Sequence, residues 1–170
     1  LTPDDKLLFI AARHAVDAIS VVAASTGEHI RDLSGHQGAV TAVAMIGRRY
    51  LVSAGADGLL GLWETSNLGC VGRFRVNDFV STAADSSSPQ EISSLSTNEE
   101  STSLIVGHGE RAVIFDFSHI LEAAAARVPA SQFDSVEEET LTPQSFIDVS
   151  GRVTSVSYSM SSKFVAISTA

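Results

Sequence analysis

A histidine, a serine and an aspartate lie close together in this sequence and are the residue types of a hydrolase triad. In such a triad an imidazole activates a hydroxyl group while a carboxylate orients the imidazole. Here they are His36, Ser53 and Asp57. Catalysis of this kind needs an exposed hydroxyl beside an oxyanion pocket. Ser53 lies within an apolar run, and no Gly-x-Ser-x-Gly motif occurs. We therefore predict no catalytic residues and no enzymatic activity.

Alternating apolar residues indicate the strands that must position His36, Ser53 and Asp57. Val40–Ile46 and residues 50–54 flank Gly-Arg-Arg at 47–49, which has the length and composition of a hairpin loop. A third run covers residues 59–63, and residues 70–76 continue as an outer strand. The pattern predicts adjacent antiparallel strands with a serine on the second and an aspartate in the turn that follows it.

Residues 35–64 resemble one complete repeat of the WD-repeat family. That family places a histidine before its first strand, a serine or threonine on the second, an aspartate in the next turn and a tryptophan on the third. The matching positions are His36, Ser53, Asp57 and Trp63. The resemblance implies a hydrogen-bonded relay that runs from the aspartate through the imidazole and hydroxyl to the indole. It also implies a β-propeller, since a single repeat cannot bury its own faces.

Weaker copies of the pattern extend over nearly the whole chain. They cover residues 2–12, 18–23, 26–33, 104–107, 111–117, 153–159 and 163–168. Val22 and Phe115 stand where the tryptophan is expected, and Ile167 stands where Ser53 would fall. The predicted fold is an all-β WD-repeat propeller fragment of about three to four four-stranded antiparallel blades, with one short inserted helix. Because the chain begins and stops within repeats, we expect residues 1–170 to be part of a single propeller in a longer chain.

Two inserts interrupt the repeat spacing. Residues 77–90 are polar and read as a long loop, expected on the same face as His36. Residues 118–142 read as a helix followed by an acidic loop, in which Ser118 is the N-cap and residues 134–139 are solvated. The inserts are predicted to emerge on opposite faces. The composition of the two inserts is compatible with loops that bind a partner and equally with insertions that have no effect on function.

Composition narrows the class of protein. With 44% apolar residues the chain can bury a sizeable core, and no apolar run is long enough to cross a bilayer. The single cysteine, Cys70, provides no internal disulfide framework and suits a reducing intracellular compartment. The five histidines are dispersed without paired cysteines or a carboxylate cluster, so we predict no metal, no cofactor and no small-molecule substrate.

The formal net charge of -9 argues against a broadly basic nucleic-acid surface. Two arginine pairs are local exceptions. Arg48 and Arg49 lie at the predicted hairpin tip, and Arg73 and Arg75 alternate along an outer strand and so share one face. They are candidate interaction residues for phosphate or an acidic partner, and the alternative is a set of solvated rim positions.

The order of the repeats resembles that of WD-repeat subunits of the small-subunit processome, in particular those of its early-joining, transcription-linked subcomplex. A weak first repeat, a strong second one and a third with an insert after Phe115-Asp116 carry this likeness. It implies a scaffold in ribosome biogenesis and rRNA processing, located in the nucleolus. The implied partners are other subunits of a large ribonucleoprotein complex and pre-ribosomal RNA, with no membrane. The alternative is a protein–protein interaction propeller in another intracellular complex, such as a ubiquitin-ligase adaptor, a vesicle coat or a ciliary assembly, with cytoplasmic location.

Overall fold

The described part of the chain folds into a succession of antiparallel sheets. The computed structural model describes residues 1–2, 4–11, 18–76, 91–100 and 102–170, so the predicted loop insert at 77–90 lies outside the described residues. The strands are β1 Leu7–Ala11, β2 Ala18–Ala23, β3 His29–Ser34, β4 Val40–Ile46, β5 Tyr50–Gly55, β6 Leu59–Glu64, β7 Gly69–Val76, β8 Ile92–Thr97, β9 Ser103–His108, β10 Arg111–Asp116, β11 Glu138–Leu141, β12 Ser145–Asp148, β13 Val153–Tyr158 and β14 Val165–Thr169. A helix α1, Ser118–Ala125, and a 3₁₀ turn, Phe133–Ser135, lie between β10 and β11.

Four sheets follow one another along the chain, and we call them blades 1 to 4. Blade 1 is β1-β2-β3, blade 2 is β4-β5-β6-β7, blade 3 is β8-β9-β10-β12 and blade 4 is β13-β14. Neighbouring strands within each blade pair in antiparallel fashion. The predicted all-β propeller fragment is thereby confirmed, because its blades, their antiparallel order and the single short helix are all present among the described residues.

Blade 2 is the best-formed sheet. Every residue of β5 and β6 is buried, since both strands lie in the middle of the sheet and pack on both faces. The turn between β4 and β5 contains Gly47 at a φ of 63°, a left-handed conformation that glycine adopts without steric cost. The strong repeat of the sequence therefore corresponds to the most completely buried blade.

The blades pack face to face around their inner strands. β1 contacts β4, β4 contacts β8, and β8 contacts β13. One apolar cluster lies between blades 1 and 2, a second between blades 2 and 3, and a third between blades 3 and 4. Blades 2 and 3 thus bury both faces against neighbouring blades, whereas blades 1 and 4 each bury one face in these clusters.

Helix α1 begins earlier than the sequence pattern predicts. Phe117, not Ser118, occupies the N-cap position, and no side chain caps the helix there. The Phe117 N–H donates to the Thr102 carbonyl oxygen at 2.7 Å, and its ring is fully buried. These contacts hold the chain in place at the end of β10, and the first turn of the helix follows directly. Ala124 of the helix packs into the cluster between blades 2 and 3.

The acidic run at 134–139 is largely exposed, as the sequence predicts, but the end of it is a strand and not a loop. Glu138–Leu141 forms β11, which pairs in parallel with β7 from Arg73 to Val76 and adds a fifth strand to blade 2. Phe133 and Leu141 are buried, which holds the segment against the sheet. The outer edge of β7 offers unpaired backbone groups that an extended segment can satisfy. We call residues 130–141 the strap.

Candidate functional site

Four polar residues of blade 2 form a continuous chain of hydrogen bonds. The Trp63 Nε1–H donates to Ser53 Oγ at 2.9 Å, and His36 Nε2 lies 2.8 Å from the same oxygen. His36 Nδ1 lies 3.1 Å from Asp57 Oδ2. Since an ionised carboxylate only accepts, Nδ1 carries the proton, Nε2 accepts from the Ser53 hydroxyl, and that hydroxyl accepts from the indole. All donors and acceptors along the relay are matched.

Asp57 ends the relay and organises the adjacent turns. Its carboxylate also accepts from the backbone N–H of Gln37 at 2.8 Å and of Leu59 at 3.1 Å. Burial opposes ionisation of this group, but hydrogen bonds from His36 and from those two amides outweigh it. The pKa of the Asp57 carboxyl is consequently lower than its ordinary value of 3.8.

The relay leaves no exposed nucleophile at this site. Ser53 is 0% exposed and His36 is 3% exposed. The Ser53 hydroxyl is occupied on both sides by the imidazole and the indole, so a substrate carbonyl cannot reach it. The geometry gives the three triad-like residues a structural role within the blade.

Phe133 of the strap covers this relay, and sequence reasoning missed it. Its ring lies 5.4 Å from the Trp63 ring in a stacked arrangement and 5.0 Å from the His36 ring. Glycine at position 61 makes room, because a Cβ there would lie 2.7 Å from the Phe133 ring. Gly35 adopts a φ of 143°, and any side chain there would overlap Phe133. A lone phenylalanine in a polar, acidic stretch was the sequence signal available.

Arg73 and Arg75 are paired with the strap. Arg75 Nε lies 2.5 Å from Glu138 Oε1, and Arg75 Nη2 lies 3.1 Å from Glu138 Oε2. Arg73 Nη2 lies 3.3 Å from Glu138, Arg73 Nη1 lies 3.4 Å from Asp134, and the guanidinium is 5.3 Å from the Phe133 ring centre. Hydrogen bonds from Arg75 hold the pKa of the Glu138 carboxyl below its ordinary value. The acidic partner of this arginine pair, in this structure, belongs to the same chain.

Arg48 and Arg49 have different surroundings although they are adjacent. Arg49 Nη2 lies 2.6 Å from Glu64, whose side chain is only 7% exposed, so the pair is braced against the blade. Arg48 is exposed and forms no ion pair with any of the described residues. It borders an open surface pocket with Thr65 and Ser66. Of the four candidate arginines, Arg48 is therefore the most accessible to a partner.

The described part of the chain contains no metal site, no membrane-spanning helix and no reactive thiol. No group of three or more histidine, cysteine, aspartate or glutamate side chains there could hold a metal ion. Among those residues, no helix has the length and apolar character needed to cross a membrane. Cys70 is buried, and burial raises the pKa of its thiol to about 11, so it is an unreactive thiol at neutral pH.

Comparison with known proteins identifies the fold. No protein-family model and no curated protein matches the sequence. The C-terminal WD40 domain of Sif2 superimposes with a TM-score of 0.69 at 12% identity, over 98% of this chain and 41% of that one. A chain of a mitotic checkpoint complex gives the same TM-score at 16% identity, over 99% of this chain and 44% of that one. The fold is that of part of a WD40 propeller, and the chain spans less than half the length of these structures.

Proposed function

We propose that this chain is a non-catalytic scaffold whose propeller surfaces bind other proteins. The observation that carries this proposal is that His36, Ser53 and Asp57 hydrogen-bond to one another in the interior of a WD40-type blade. Rigid blades of this kind present loops and strand edges, which are common sites of binding. One structurally similar chain is itself part of a mitotic checkpoint complex.

The specific assembly that we propose is the small-subunit processome, with residence in the nucleolus and a role in rRNA processing. The order of the repeats supports this proposal, together with an insert that follows β10 and returns to the sheet as β12. A general interaction propeller in a ubiquitin-ligase adaptor, vesicle coat or ciliary assembly, with cytoplasmic location, is the second candidate.

Within that assembly we expect protein contacts to dominate over RNA contacts. The formal charge of -9 disfavours binding along a phosphate backbone. Arg73 and Arg75 already pair with carboxylates of the strap, whereas Arg48 remains exposed. If pre-ribosomal RNA is contacted, Arg48 is the arginine best placed to do so.

Affinity purification of the full-length protein, followed by mass spectrometry and RNA sequencing, tests the assembly. Recovery of ribosome-assembly factors with 5′ pre-rRNA is the expected result, and the Arg48→Glu variant should retain the proteins while crosslinking less RNA. Arg49→Lys, which keeps the charge beside Glu64, is the matched control and should behave as wild type. Recovery of coat or ubiquitin-ligase subunits without rRNA would contradict the processome assignment.

A further inference from the structure

The strap lies against the outer edge of β7 and the cleft between blades 1 and 2, and we call the surface that it covers the groove. Near one end, Ala130 and Cys70 exchange backbone hydrogen bonds of 2.7 and 2.8 Å. Near the other end, β11 pairs with β7 from Arg73 to Val76. Between these two points the Phe133 ring enters the cleft. The groove therefore combines a strand edge, where a peptide can add by backbone pairing, with a separate side-chain pocket for a ring.

The pocket and its rim select particular side chains. The pocket is lined by Trp63, His36 and two glycines, which leave space for a planar ring. The rim carries Arg73 and Arg75, which contact a carboxylate five positions after the ring in the strap sequence. An arginine that makes two hydrogen bonds to one carboxylate selects for acidic residues. The groove consequently favours a phenylalanine in a 3₁₀ turn followed, five positions later, by an acidic residue that begins an extended strand.

The strap is attached through few buried side chains. Phe133 and Leu141 are its buried residues, and Asp134, Ser135, Glu138 and Thr140 are among its exposed ones. Helix α1 before it packs between blades 2 and 3, and β12 after it pairs with β10. Val128, just before the strap, is 91% exposed. Release of the strap would break its own pairing with β7 but none of the antiparallel pairings within the four blades.

We propose that this groove is a peptide-docking site for another protein and that the strap is a built-in competitor for it. The partner supplies a segment with a phenylalanine in a turn and, five positions later, a glutamate or aspartate that begins an extended stretch. When the strap leaves, that segment adds to β7 as a parallel strand and places its ring against Trp63. The proposal concerns how a partner is held, and it applies whichever assembly the chain serves.

A labelled peptide of residues 129–142 serves as the probe, with binding to the full chain measured by fluorescence anisotropy. Glu138→Arg in the chain loosens the strap and should raise peptide affinity at least tenfold over wild type. Glu137→Arg is the matched control, because Glu137 forms no ion pair with the described residues. The peptide should lose at least tenfold in affinity when it carries Phe133→Ala. An Arg75→Glu chain should bind the Glu138→Arg peptide better than the original one.

A second variant keeps the test decisive if Glu138→Arg does not release the strap. Replacing residues 130–141 with a Gly-Ser linker of equal length empties the groove, and this chain should bind the peptide most tightly. Failure of this folded variant to bind the peptide would overturn the proposal. Loss of folding in the variant would also overturn it, because the strap would then be an integral part of the fold. A strap-exchanged dimer of the wild-type chain in light scattering would identify a second copy as the occupant and contradict a different partner.

Discussion

At the scale of single residues, Ser53 connects two buried groups that otherwise lack partners. Its hydroxyl donates to the His36 imidazole and accepts from the Trp63 indole. A buried donor or acceptor left without a partner costs about 1–3 kcal/mol, because it has given up its hydrogen bonds to water. The four relay residues are thus coupled through one oxygen atom, and removal of that atom leaves both rings unsatisfied.

The substitution Ser53→Ala tests this coupling. We expect it to lower the free energy of unfolding by about 2–3 kcal/mol, since one change leaves two buried groups unpaired. Urea denaturation followed by Trp63 fluorescence measures the loss, and Trp63 is the single tryptophan. Ser20→Ala is the matched control, because the Ser20 hydroxyl donates to Asp32 in an exposed setting. It should cost about 0.5 kcal/mol or less, and equal losses in both variants would contradict the coupling.

Asp57 makes the stability of blade 2 sensitive to acid. The folded chain holds the pKa of this carboxyl below its ordinary value of 3.8, so the unfolded chain binds the proton more readily. The stabilisation is fully present well above the ordinary pKa of 3.8 and is lost as the pH falls through the folded-state pKa. In Asp57→Asn the unfolding free energy should fall less steeply than in wild type as the pH is lowered below about 5. Parallel pH profiles for the two proteins would contradict this assignment.

At the scale of elements, the strap links three blades although it belongs to the third by sequence. Phe133 packs in the cluster between blades 1 and 2, and Leu141 packs in the cluster between blades 2 and 3. Arg31 on β3 also donates to the Ser131 carbonyl oxygen at 3.4 Å. The insert therefore does more than lengthen a loop, because it covers the relay and a strand edge.

Phe133→Ala removes the main apolar contact of the strap. Truncation of a buried phenylalanine usually costs about 3–5 kcal/mol, and detachment of the strap sets an upper limit to the loss here. We expect a drop of about 2–4 kcal/mol in urea unfolding and a change in Trp63 emission, because the stacked ring is gone. Phe146→Ala is the control, since that side chain is 48% exposed. A Phe133 variant as stable as the Phe146 variant, with unchanged emission, would show that the ring does not anchor the strap.

At the scale of the whole molecule, burial is distributed unevenly over the four blades. Blade 2 has neighbours on both faces and a covered outer edge. Blade 4 has two strands among the described residues and packs through the cluster between blades 3 and 4. Met160 and Phe164 near its hairpin tip are 93% and 72% exposed. Stability should consequently decrease from blade 2 towards blade 4.

Hydrogen–deuterium exchange can resolve this gradient in the chain of residues 1–170. We expect the amides of β5 and β6 to exchange last, those of β11 earlier, and those of β13 and β14 first. The reason is that local opening requires less buried surface to be exposed in a two-stranded hairpin. Mass spectrometry of peptic fragments gives the order. Simultaneous exchange of all strands would indicate one cooperative unit and contradict the gradient.

The sequence alone was sufficient for the repeat architecture. Alternating apolar residues and turn residues are local features, so they indicate the strands of blade 2 and the hairpin at 47–49, while the resemblance to the WD-repeat family implies the propeller. The relay of His36, Ser53, Asp57 and Trp63 is what the resemblance to the WD-repeat family implies, and all four residues lie within one repeat. The short helix was also visible, with its start displaced by the burial of Phe117.

Only the tertiary structure decided what the acidic insert and the outer arginines do. The pairing of β11 with β7 joins residues that are distant in sequence, and a strand added to another blade leaves no local periodicity. Phe133 reached the relay because Gly35 and Gly61 leave space there, and that space is a property of the packed blades. Arg73 and Arg75 pair with an acidic side chain because the same long-range packing brings the strap to β7. Local chemistry thus determined the blade with its relay, whereas long-range packing decided which surfaces remain open to other molecules.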